Sequence, residues 1–187
     1  MIRVLVVDNG GQWTHREWRM LREIGCDTKI IPNTTSIDEI DANALVLSGG
    51  ALSVDLASEK LGNCISYIKK FSGPILGICA GHQIMAMFYE GKIGPSLISE
   101  YGLTKVKVIE EDDLFIGIPR EFLVWESHND EVKAANNCAL LAESETCKIQ
   151  AIKYNNKPHY SLQFHPEVNN TEHGEEIFRN FVSICKK

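Results

Sequence analysis

Pro74-Ile75-Leu76-Gly77-Ile78-Cys79-Ala80-Gly81-His82-Gln83 decides how the rest of the chain is read. An apolar run leads straight into a cysteine that has one glycine two positions before it and another two positions after. Beyond it, Ile84, Met85, Met87 and Phe88 repeat at helical spacing until Gly91 ends the pattern. The stretch predicts a buried strand, a tight turn carrying a thiol, and a helix. Glycines at these positions let the two backbones pass closely, as in the Gly-x-nucleophile-x-Gly elbow of hydrolases. A cysteine so placed lies at a helix N-terminus, where the dipole favours the thiolate, the form that attacks.

A free cysteine is also among the most often buried small apolar residues. The choice between the two readings comes from a second stretch far downstream, Gln163-Phe164-His165-Pro166-Glu167. A thiol nucleophile needs a base, and the base needs an acceptor to orient it. His165 and Glu167, two positions apart after a strand-like run, supply both.

The chain has 187 residues, enough for one domain (1–187) with a substantial core. Its 44% hydrophobic and 24% charged content are ordinary for a soluble protein. A formal charge of -6 lacks the basic footprint of a nucleic-acid binder. The opening apolar run is too short for a signal peptide, and no later segment reads as a membrane span. The six cysteines show no Cys-x-x-Cys pairing, so reduced thiols and a cytoplasmic location are expected.

In chain order, residues 2–8 read as a strand buried on both faces, closed by the turn Asp8-Asn9-Gly10-Gly11. Thr14 and Glu17 fit a capping box for a helix that runs to Gly25. Strands follow at about 27–31 and 44–47, then a helix near 58–71 that leads into the cysteine strand. From about 100, short alternating segments at 104–109, 121–126, 139–144, 149–154 and 158–164 predict antiparallel strands. A helix over about 172–186 closes the chain, with Glu172, Glu175 and Glu176 in its first turns and Lys186 and Lys187 at its end. The expected fold is α/β: a three-layer, open, mixed but mostly parallel sheet with helices on both faces, plus short antiparallel strands in the C-terminal half. Ligands bind such sheets at the carboxyl ends of the strands, where Asp8–Gln12, Ser48–Gly50 and Cys79 all fall.

Ser48-Gly49-Gly50-Ala51-Leu52-Ser53 reads as a plain turn, a phosphate loop or an oxyanion hole. The phosphate reading lacks its acidic residue after the glycines; Cys79 and His165 elsewhere favour the oxyanion reading, with N–H donors at Gly50 and Ala80. Ser127-His128-Asn129-Asp130 reads as a polar turn after a strand, and no second residue at ligand spacing makes His128 a metal ligand. His15, His82, His159 and His173 carry no partner signal.

Taken together, Gly77–Gln83 and Gln163–Glu167 resemble the nucleophile and His-Pro-Glu segments of class I (Cys-His-Glu) glutamine amidotransferases, and the resemblance runs along essentially the whole chain. It implies Cys79, His165 and Glu167 as catalytic triad, glutamine as substrate, and Gln83 with Ser127, Asn129 and Asp130 as its contacts. The family commonly has proline where this chain has Ala51 and a bulkier residue where it has Ala80; both N–H donors survive. Within the family, Val7–Trp13, Ser48–Gly50 and Ser127–Val132 most resemble the GMP synthase branch, in its two-chain, archaeal-type form. That implies a partner, a separate ATP pyrophosphatase subunit that would hold ATP and magnesium and convert XMP to GMP, with no cofactor in this chain. His128 and Asp130 are then the expected points of coupling to that partner. Rival readings are the amidotransferase subunit of another synthase, a free-standing γ-glutamyl hydrolase, and an inactive regulatory module of the same fold.

Overall fold

Leu5 and Val7 of β1 (Arg3–Asp8) pack into one apolar cluster and Val4 and Val6 into another, so the strand has no solvent face. The same holds for β3 (Ala44–Leu47) and β4 (Ile75–Ile78), buried throughout. These strands are the middle of a sheet covered on both sides, as their unbroken apolar runs require. The computed structural model describes residues 1–50, 59–155 and 157–186.

Among the described residues the sheet has nine strands in the order β2-β1-β3-β4-β9-β8-β7-β5-β6. β2 is Asp27–Pro32, and β1, β2, β3 and β4 pair in parallel. β9 (His159–Leu162) lies parallel to β4 and antiparallel to β8 (Ala151–Tyr154), joining the two halves. β7 (Cys138–Ser144), β5 (Lys92–Val108) and β6 (Glu121–Ala134) continue antiparallel. One apolar cluster packs α1 (Thr14–Glu23) and α4 (Gly174–Ile184) on one face; the other packs α2 (Cys64–Lys70) and α3 (Ala80–Phe88) on the opposite face. The predicted three layers are present.

Five expectations are corrected. The Thr14/Glu17 capping box does not form: Trp13 is the N-cap, Thr14 Oγ1 donates to Asp8 Oδ1 at 3.0 Å, and Glu17 is buried. The helix expected near 58–71 is a short 3-10 turn (Glu59–Leu61) and then α2, because Gly62 takes a φ of 52° and a side chain there would meet the Asn33 carbonyl. β5 begins at Lys92 rather than at about 104, and β6 runs through Ser127–Asp130, so that segment is strand and not turn. Glu172 lies outside α4; its backbone N–H and carboxylate instead pair with Leu123 of β6. Readings that fell on Ala51, Leu52, Ser53, Asn156 and Lys187 lie outside the described residues.

Candidate active site

β4 and β9 run parallel in the register Ile78↔Leu162, so whatever follows one strand lies beside whatever follows the other. Cys79 follows β4 directly, and its N–H donates to the Leu162 carbonyl at 2.8 Å. Gln163, His165 and Glu167 follow β9. Sequence segments far apart thus meet at the carboxyl edge of the sheet, where the turns after β1 and β3 also converge.

Cys79 has φ 48° and ψ -100°, a conformation that a side chain rarely adopts. Both flanking glycines are needed by close approach. A Cβ on Gly81 would stand 2.2 Å from the Leu47 carbonyl oxygen, and one on Gly77 would stand 2.7 Å from the Gly81 backbone and the Met85 sulfur. The strand-to-helix turn is therefore as tight as the sequence predicts, and it holds Cys79 as N-cap of α3. Ala80 is the first helical residue, and its N–H has no acceptor within the helix.

His165 Nδ1 and Glu167 Oε1 are 2.7 Å apart, both groups buried. With Nδ1 so engaged, Nε2 is left for the Cys79 sulfur. Burial alone disfavours the charged ring, but the Glu167 charge and the bonded Cys79 sulfur outweigh it and hold the His165 pKa well above 6.5. The imidazole is poised to keep a proton that a thiol gives up. The Trp13 ring packs edge-on against it, 4.5 Å between centroids. Gly49 closes the other side: a Cβ there would lie 3.1 Å from His165 Cε1 and 3.7 Å from Cys79 Cβ.

These residues line a cavity of about 480 Å³ with Gly50, Gln83, Tyr101, Ser127, Asn129 and Asp130. Small-molecule sites span roughly 300–1,000 Å³. The Gln83 amide bridges the Asp130 carbonyl at 2.8 Å and Gln163 Oε1 at 3.4 Å, tying α3 to β6 and to the segment after β9. The Cys79 sulfur is 4.0 Å from the Ser127 carbonyl oxygen and 3.9 Å from Gln163 Nε2. All residues predicted for the triad and for substrate contact line this cavity, as does Gly50 of the predicted oxyanion hole; Ala80 is not among the lining residues but follows Cys79 directly at the start of α3. Reading the sequence alone took Glu17 for a helix cap and Gly49 only for part of the Ser48–Gly50 turn, and it gave Trp13 and Gln163 no role in the site.

His128 also lines the cavity, yet its ring is buried and turned to Glu100 Oε2 at 2.8 Å and Glu126 Oε2 at 3.3 Å. Burial works against its charge, but hydrogen bonds to both carboxylates raise its pKa to about 10. Burial raises the Glu126 carboxyl, while hydrogen bonds from His128 and Thr146 hold that of Glu100 low in spite of burial. Glu126 does stand at ligand spacing to His128 on the same strand, which the sequence reading overlooked. Among the described residues these three form the grouping with metal-ligand separations, their donor atoms within 4.8 Å of one another. Ligands must shed their protons to bind a metal; here His128 Nε2 is already hydrogen-bonded to Glu100, with Glu126 3.3 Å from the same nitrogen.

The family model for class I glutamine amidotransferases matches residues 5–185. The chain is 48% identical over 187 residues to a Thermoplasma acidophilum protein named as a subunit of glutamine-hydrolysing GMP synthase, covering 99% of this chain and 94% of that protein. It is 48% identical over 189 residues to the protein of the same name from Pyrococcus abyssi, covering 97% and 98%. A crystal structure described as a GMP synthase subunit from T. acidophilum superposes with a TM-score of 0.94 at 47% identity, covering 100% of this chain and 94% of that one. A glutamine amidotransferase structure from Thermotoga maritima, 20% identical, shares the fold with a TM-score of 0.74, covering 99% and 82%. The chain belongs to the class I glutamine amidotransferase family.

Proposed function

We propose that this chain is the glutamine-hydrolysing subunit of a two-chain GMP synthase. The observation that carries the reading is the meeting of Cys79, His165 and Glu167 at one cavity, in a chain so close over its full length to proteins named as GMP synthase subunits. Cys79 attacks the side-chain amide carbon of glutamine, and the N–H groups of Gly50 and Ala80 hold the oxyanion. Collapse of the tetrahedral adduct breaks the C–N bond, and His165 passes the thiol proton to the departing ammonia. Water, deprotonated by His165, then attacks the glutamyl thioester, releasing glutamate and restoring the thiol. Glu167 keeps the ring in the Nδ1–H tautomer throughout. Gln83 and the β6 segment Ser127–Asp130 shape the glutamine pocket.

Ammonia passes to an ATP pyrophosphatase subunit that binds ATP and magnesium and adenylylates XMP. Asp130 and Asn129 border the cavity mouth, so the partner meets β6 there, and His128 communicates through the strand that its buried ring fixes. Six free thiols agree with a reducing, cytoplasmic setting, and no helix among the described residues is long and apolar enough to cross a membrane.

The test is ammonia release from glutamine by the chain alone and with the synthetase partner, ATP and XMP. GMP formation and stimulated hydrolysis are expected, both lost in Cys79→Ala. Full hydrolysis without any response to the partner points to a free-standing hydrolase; no hydrolysis in either condition points to an inactive module.

A further inference from the structure

Helix α1 buries Thr14, Glu17 and Leu21 along one stripe, and Glu17, only 1% exposed, is a carboxyl where a core-facing helix normally places an apolar residue. Its side chain lines the same cavity as Cys79, His165 and Glu167. Glu17 Oε1 accepts the Gly49 N–H at 3.4 Å, while Oε2 is buried with no partner. Glu167 shows the complementary pattern: Oε1 is engaged by His165 Nδ1, and Oε2 is buried without a partner. Two buried carboxyl groups therefore line the same cavity, each with one anchored oxygen and one free.

Two carboxylates in one water-poor site cannot both carry charge cheaply, so one keeps a proton. Glu167 has the imidazolium for a partner and is the natural anion. Glu17 has none in contact. The charged and titratable groups around Glu17 are Glu167 and His165 after β9, Asp8 at the end of β1, Cys79 after β4, and His128 and Asp130 on β6. Burial, and then the Glu167 charge, oppose ionisation of Glu17 more than His165 and the Gly49 N–H favour it.

We propose that Glu17 is a positioning residue for the glutaminase site: a neutral carboxylic acid whose carbonyl oxygen ties down the Gly49 turn and whose O–H is directed at the free oxygen of Glu167. A side-chain rotation or bridging water would complete that contact. The result is a chain from Gly49 through Glu17 and Glu167 to His165, which fixes the oxyanion turn and the base together. A neutral acid does this without adding a second negative charge beside the imidazole. The role rests on the glutaminase reading, but the protonation state can be tested apart from it.

The experiment compares wild type, Glu17→Gln and Glu17→Leu. Infrared difference spectra of wild type against Glu17→Gln at neutral pH should show the carbonyl stretch of a protonated carboxylic acid, lost in the variant. Absence of that band overturns the proposal, whether or not the chain is a glutaminase. In steady-state glutamine hydrolysis with the synthetase partner, ATP and XMP present, Glu17→Leu should lose about 10–100-fold in kcat with little change in KM, the scale of losses at other orienting partners. Glu17→Gln, which keeps both the acceptor and a donor, should recover most of that loss. A gain at neutral pH limited to the leucine variant, or equal damage in both variants, overturns the positioning role. A wild type that releases no ammonia defeats the glutaminase reading instead, and the infrared result still decides the state of Glu17.

Discussion

The strained backbone at Cys79 should make the elbow more stable with glycine than with alanine. Both Cys79→Gly and Cys79→Ala remove the sulfur, so the comparison isolates the backbone. At φ 48° and ψ -100° the residue lies outside the ordinary left-handed basin, which puts the strain near the upper end of the usual range, about 3 kcal/mol. Glycine relieves it but gains freedom in the unfolded chain, costing about 0.5–1 kcal/mol. It also forgoes one buried methyl group, worth about 0.8 kcal/mol. The difference left is about 1.2–1.7 kcal/mol in favour of Cys79→Gly. For a domain of this size that corresponds to a melting point about 2–7 °C higher than that of Cys79→Ala. Thermal unfolding followed by circular dichroism, with urea midpoints as a check, measures it directly. Neither variant should release ammonia from glutamine. If Cys79→Gly melts at or below Cys79→Ala, the turn is not held under strain, and the account of how the fold presents this thiol fails.

Gly81→Ala should be damaging twice over: its Cβ would meet the Leu47 carbonyl at 2.2 Å, so α3 must back away from β3. We expect about 1–3 kcal/mol of lost stability and a loss of glutamine hydrolysis well beyond it, and a wild-type urea midpoint with normal kcat would refute the close approach. His128 is raised from 6.5 to about 10, so its stabilising contribution is complete below pH 6.5 and fades as the pH climbs through 10. Urea unfolding between pH 7 and 10 should show a steeper fall for wild type than for His128→Gln; parallel curves would mean the ring does not titrate with its carboxylates. Burial pushes the Cys64 and Cys185 thiols up to about 12 and Cys147 higher still, so iodoacetamide at neutral pH should alkylate Cys79 ahead of these three, as peptide mass analysis would show.

How far the sequence discloses the molecule depends on where each residue's partners lie. The parallel half is legible because its strands are apolar on both faces and its turns carry glycine, so local chemistry states the answer. The triad is legible for a similar reason: a cysteine between two glycines, and a His-Pro-Glu segment, are each built by their neighbours. β6 is different. Phe122, Val124, Glu126 and His128 face inward at a strand's period of two, yet the last two are polar and ionisable, so the apolar alternation stops at Trp125 while the strand goes on. What lets it continue is Glu100 on β5, opposite His128 in the register, and nothing near His128 in the sequence announces that partner.

Glu17 makes the same point from the other direction. Three positions after Thr14, it satisfies the spacing of a capping box, and helix-end chemistry accounts for it fully from local sequence. Yet Thr14 and Glu17 share a helical face with Leu21, and a stripe at i, i+3 and i+7 is the mark of residues turned toward a core. The two readings compete for the same side chains, and burial decides between them. A cap contributes about 1 kcal/mol and leaves its carboxylate in water. A carboxyl turned inward must be satisfied by protein groups, and here those are the Gly49 N–H and the site around His165. An acid on the apolar stripe of a helix that follows a glycine-rich strand end is therefore better read as aimed at the site than as a cap.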